Sequence, residues 1–236
     1  MFDLFVPPTE NPRPPVSEIE EIWDQRFTCT RPEISSLQKL EAMLPDASET
    51  GTKVLSIQCK LPASPALSWF MDRGQLTDID FFYELFRSKR FKKALPKPDR
   101  TLIPPKVKRD FAPKRQGVIA ESGVRRSSGN PVKLDRFNFS VQSCFTLTGA
   151  LAGNIDRARS GQKSDNGDPA TSPMQMAVDS ADILLAGDYA GGLCYRSTSA
   201  WSPWFYAVEW DRTHVFINRE SREATFIFMS DQEYTR

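Results

Sequence analysis

Histidine is almost absent from this 236-residue chain, with His214 the only one. The four cysteines, Cys29, Cys59, Cys144 and Cys194, lie 30, 85 and 50 residues apart. Neither set has the close Cys or His spacing of a zinc site, so no metal and no cofactor is called for. No apolar run reaches the roughly 18 residues a membrane-spanning helix needs. "MFDLFVPPTENPRPP" at the N-terminus lacks the basic start, apolar stretch and small-residue cleavage site of a secretory signal. These absences predict a cytoplasmic protein with reduced thiols. "GDYAGG" at 187–192 has neither the spacing nor the Lys-Ser/Thr of a phosphate-binding loop. No internal repeat and no RNP1-type string is present.

What the chain does have is charge in the wrong proportions. Its formal net charge is only +1. Between Phe86 and Arg136, however, 16 Lys or Arg stand against 4 Asp or Glu, a net of +12, which leaves −11 for everything else. Asymmetry of this size points to a polyanion, and phosphates are the natural partner because each neutralised phosphate releases a condensed counterion. The competing expectation is that the basic segment folds against the acidic remainder or is a solvated loop.

Residues 1–16 hold five prolines and read as an extended arm. Residues 17–95 read as a helical portion with one strand. Ser17 to Glu20 fits a capping box opening a helix to about Phe27, and a second helix begins at Pro32. "KVLSIQCKL" at 53–61 alternates as a strand, with Leu55, Ile57, Cys59 and Leu61 on one face. A third helix is expected to start at a Thr77 cap, to bury Ile79, Phe82, Leu85 and Phe86, and to run into the basic segment. Residues 96–133 form a basic linker or insertion rich in Pro, Gly and Ser, stiffened by Pro96, Pro98, Pro104, Pro105 and Pro113.

Residues 134–236 are expected to form an antiparallel sheet plus a helix, one cooperative unit with 17–95. "RFNFSVQSCFTLT" at 136–148 alternates apolar and polar residues and predicts one long, half-exposed strand. Ser172-Pro173 predicts a helix start, with Gln175 completing the box and Gly187 ending it. Strands are predicted near 193–199, 203–210, 213–218 and 223–230. The fold class is therefore α+β: N-terminal helices, a mainly antiparallel C-terminal sheet covered by a helix, and a long basic insertion.

Function is read from the charge. Arg87, Lys89, Arg90, Lys92, Lys93, Lys97, Arg100, Lys106, Lys108, Arg109, Lys114, Arg115, Arg125 and Arg126 are the candidate contacts to an RNA or DNA backbone. The C-terminal 49 residues hold eleven of the 26 aromatics. Most are expected in the core, with "YRSTSAWSP" (Tyr195, Arg196, Trp201) the place for an exposed stacking residue. The leading expectation is a non-catalytic nucleic-acid-binding protein or nucleoprotein subunit with further protein partners. An assembly component docking through its proline-rich and basic arms is the alternative. Cys144-Phe145, with His214 seventy residues on, resembles papain-like viral leader peptidases, where a thiolate paired with imidazole attacks a peptide carbonyl. Cys194-Tyr195 is similar but lies only 20 residues from His214. The resemblance spans two residues, and here Cys144 reads as mid-strand where that family opens a helix.

Overall fold

A computed structural model describes residues 12–24, 27–31, 37–39, 41, 53–95, 138–160, 172–199, 205 and 211–230. Among these residues six antiparallel strands form one sheet: β1 (Thr28–Thr30), β2 (Lys53–Lys60), β3 (Ser140–Gln142), β4 (Leu193–Ser197), β5 (Arg212–Asn218) and β6 (Glu223–Ser230). Their spatial order is β1-β2-β6-β5-β4-β3. β2 pairs along its whole length with β6, from Lys53 opposite Ser230 to Lys60 opposite Glu223. Among the described residues the two edges are three-residue strands, a length that limits edge-to-edge pairing with other chains.

Helices cover both faces. On one lie α1 (Val16–Asp24), α2 (Pro65–Asp72), α3 (Phe81–Arg87) and α4 (Lys89–Ala94). Their Ile22, Phe70, Phe82, Phe86 and Phe91 pack on Leu55, Ile57, Tyr195, Val215, Phe226 and Phe228 of the sheet. On the other face lie α5 (Cys144–Ser160) and α6 (Pro173–Leu185). There Leu147, Leu151, Ile155, Ala177, Ala181 and Leu185 meet Cys194, Phe216, Ile227 and Met229. Burial on both faces is why β6, "EATFIFMS", reads as a nearly continuous apolar run rather than an alternation.

The expected α+β class and antiparallel sheet are present, and several boundaries differ from expectation. The long strand over 136–148 is replaced by the three residues of β3 followed by α5. Cys144, Leu147, Thr148, Leu151, Ala152 and Ile155 are all buried, a spacing of three and four, while Phe145 is 68% exposed. That is the period of a helix stripe, so burial against the sheet overrode the β-prone "CFTLT". The C-terminal half thus contributes two covering helices, and the N-terminal portion two strands, since β1 precedes β2. The α1 helix begins at Val16, with the Pro15 carbonyl accepting from Glu18 N at 3.1 Å, so Ser17 lies inside the first turn.

The third predicted helix is three pieces. Leu76–Ile79 is a 3-10 turn that contains Thr77, and Asp80 adopts φ 51° before α3 begins. Ser88 then separates α3 from α4, its Oγ accepting from Phe91 N at 3.1 Å. Across these interruptions Phe81, Phe82, Phe86 and Phe91 are all buried, the last three against Phe226 of the sheet. The cap at Ser172 is as expected, its Oγ accepting from Gln175 N at 3.1 Å, whereas the Gln175 amide donates to Asp179 instead of reaching back. Of the second predicted helix, Leu37–Lys39 and Glu41 are helical. The Glu41 carboxylate accepts from Ser56 N at 2.6 Å and Arg31 at 2.7 Å, tying that segment to β2. The proline arm before residue 12 and the strand expected at 203–210, apart from the buried Phe205, lie outside the described residues.

Candidate nucleic-acid interface

The basic segment begins on a firmly seated support. Phe86 and Phe91 lie 4.6 Å apart between ring centroids, and Phe91 sits 5.4 Å from Phe226 of the central strand β6. Both phenylalanines are buried, while Arg87, Lys89, Arg90, Lys92 and Lys93 on the same short helices are exposed. The alternation follows from helix geometry, since Phe91 turns inward and its neighbours outward. A cationic face fixed to the core in this way loses little conformational freedom when it meets an anion.

Two of these five cations have protein partners. Arg87 lies 3.4 Å from Glu84 and 5.0 Å over the Tyr83 ring, and Arg90 donates to the Phe27 carbonyl at 3.0 Å. Among the described residues, Lys89, Lys92 and Lys93 make no ion pair. The acidic remainder of the chain therefore does not neutralise these three lysines within the described structure. Lys97, Arg100, Lys106, Lys108, Arg109, Lys114, Arg115, Arg125, Arg126 and Trp201 lie outside the described residues.

Arg196 is not brought beside α4. It follows Cys194 by two residues on β4, so it shares the sheet face covered by α5. Tyr195, expected in an exposed stretch, is instead wholly buried on the α1–α4 face, 4.9 Å from Phe82. Alternation along β4 explains both placements: one residue of the stretch had to enter each layer.

The cysteine and histidine singled out above also fall on the α5 side. Cys144 opens α5, contrary to its expected mid-strand position. Its Sγ lies 2.7 Å from Cys194 Sγ. A hydrogen bond from Cys194 and the charge of Arg219 lower the Cys144 pKa, against burial and Asp188. His214, opposite Arg196 in the sheet register, is wholly buried, and Asn154 of α5 places its amide 2.9 Å from Nε2. Burial, with Arg196 and Arg212 adding to it, pulls the imidazole down to about 3, so it is neutral. Each member of the suspected pair thus has another partner, and no thiol–imidazole hydrogen bond forms among the described residues. No group of three or more His, Cys, Asp or Glu that could hold a metal ion occurs among them either, and no described helix is long and apolar enough to cross a membrane.

No family model, curated protein or solved structure matches this chain. Its function must therefore be argued from its own residues.

Proposed function

We propose that this protein binds the phosphate backbone of a nucleic acid through its basic segment, residues 87–136, the start of which lies on α3 and α4. The observation that carries the reading is Lys89, Lys92 and Lys93: exposed, lacking ion pairs among the described residues, beside the buried Phe86 and Phe91, and lying within a stretch, 86–136, of net charge +12. Their chemistry suits phosphates as point charges without base selectivity, because an ammonium group offers no fixed fork to a base edge. Binding is accordingly expected to be strong at low salt and indifferent to sequence.

A filter-binding salt titration tests this. Wild-type protein is compared with Lys89/Lys92/Lys93→Gln on RNA and DNA of several sequences. Counterion release gives a slope change of about 0.7–0.9 per lost contact, so the variant should flatten the dependence of log affinity on log salt by roughly two to three units. Sequence preference should be unchanged. If the wild type binds neither RNA nor DNA at low salt, the basic face serves a protein partner, and the assembly reading replaces this one.

A further inference from the structure

The four cysteines, far apart in sequence, fall into two close pairs. Cys29 and Cys59 face each other across the β1–β2 ladder with their sulfurs 2.8 Å apart, and Cys144 and Cys194 join α5 to β4 at 2.7 Å. Directly opposed residues of an antiparallel pair have Cα atoms about 4.5–5.5 Å apart, within the roughly 4.4–6.8 Å that a disulfide spans. Closing the first pair therefore needs no backbone rearrangement. The pairs differ in access: Cys29 reaches the surface on the edge strand, whereas Cys59, Cys144 and Cys194 are all buried.

We propose that Cys29 and Cys59 are a peroxide-sensitive dithiol that closes to an intramolecular disulfide, Cys29 being the attacking sulfur and Cys59 the resolving one. The proposal is independent of the nucleic-acid reading. The surroundings separate the two roles. Cys59 donates its S–H to Cys29, and Arg90, anchored on the Phe27 carbonyl, adds positive charge; both favour a thiolate at Cys29. Burial keeps Cys59 protonated. The Cys29 thiolate attacks one oxygen of a hydroperoxide, forming an S–O bond and breaking O–O, and the released hydroxide or alkoxide takes a proton. Cys59 sulfur then attacks the sulfenic sulfur; S–S forms, S–O breaks, and water leaves with the Cys59 proton. Two thiols lose two electrons, and one peroxide is reduced by two.

The test is hydrogen peroxide added to the reduced full chain, followed by alkylation in denaturant and peptide mapping by mass spectrometry. Expected is a monomer lighter by two hydrogens, with Cys29 and Cys59 in one cross-linked peptide, both restored by dithiothreitol, and Cys144 and Cys194 still alkylated. Cys59→Ser should abolish the cross-link and leave Cys29 as a sulfenic acid trapped by dimedone. Should that variant not fold, Cys29→Ser supplies the same control, with Cys59 remaining alkylatable after peroxide. Full alkylation of Cys29 and Cys59 after peroxide overturns the proposal. So does prior closure of Cys144–Cys194, or Cys29 captured only in disulfides between molecules.

Discussion

His214 should make a separable contribution to the acid sensitivity of this protein. His214 is wholly buried and neutral, its pKa drawn down to about 3 from an ordinary value of 6.5. The unfolded chain binds a proton there below pH 6.5 that the folded chain refuses until the pH nears 3. Its contribution to stability is therefore fully present above pH 6.5 and is lost as the pH falls through that window. At pH 5.0 the unfolded form is about 1.5 units below its own pKa, which at 1.36 kcal/mol per unit is about 2 kcal/mol. For a chain of this length that corresponds to about 4–8 °C in melting temperature. Arg196 and Arg212 add their positive charge to the cost of forming an imidazolium there. The assay is urea unfolding of wild type and His214→Gln at pH 7.5 and pH 5.0. Glutamine keeps a polar partner for Asn154 and does not titrate. Carboxylates contribute equally to both proteins and cancel in the difference. The wild type should lose about 2 kcal/mol more than the variant. Equal losses would show that the ring accepts its proton inside the fold, and the argument from burial would be refuted.

Two further predictions concern packing. Phe226 is fully buried and lies within 6.3 Å, centroid to centroid, of Phe82, Phe86, Phe91 and Phe228, so Phe226→Ala should cost about 3–5 kcal/mol in denaturant unfolding. A loss under about 1 kcal/mol would mean that the aromatic cluster collapses around the cavity instead of keeping it. A methyl group at Gly192 would come within 2.5 Å of Leu185 Cδ2 and 3.0 Å of the Asp188 carbonyl, so Gly192→Ala should cost about 1–3 kcal/mol by the same measurement. An unchanged midpoint would show that the loop before β4 yields freely.

The sequence was most readable where one physical requirement dominated. β2 alternates because one of its faces carries Leu55, Ile57 and Cys59 into the phenylalanine-rich layer. The start of α6 was readable because the Ser172 hydroxyl and the Pro173 ring both suit a helix N-terminus. The segment through α5 misled because Phe139 and Val141 set up an alternation that Phe145 and Leu147 continue. Its helical stripe emerges only when Leu151 and Ile155 are counted past Gly149 and Gly153. Part of the candidate surface was legible from charge counts alone, since charge clustered in sequence on adjacent short helices stays clustered in space. The cysteine pairing was not legible: four cysteines admit three pairings, and only strand register and helix placement choose among them.

The pairing of β2 with β6 also sets the order of events during synthesis. Lys60 and Glu223 are direct partners yet 163 residues apart in sequence. At about 5–20 residues per second, β2 leaves the ribosome roughly 10–30 s before its partner strand exists. Throughout that wait, Leu55, Ile57 and the phenylalanines of α3 and α4 have no central strand to cover them. The nascent N-terminal half must therefore be shielded or stay loosely collapsed, and its final structure is set only when the hairpin of β5 and β6 arrives to fill the middle of the sheet.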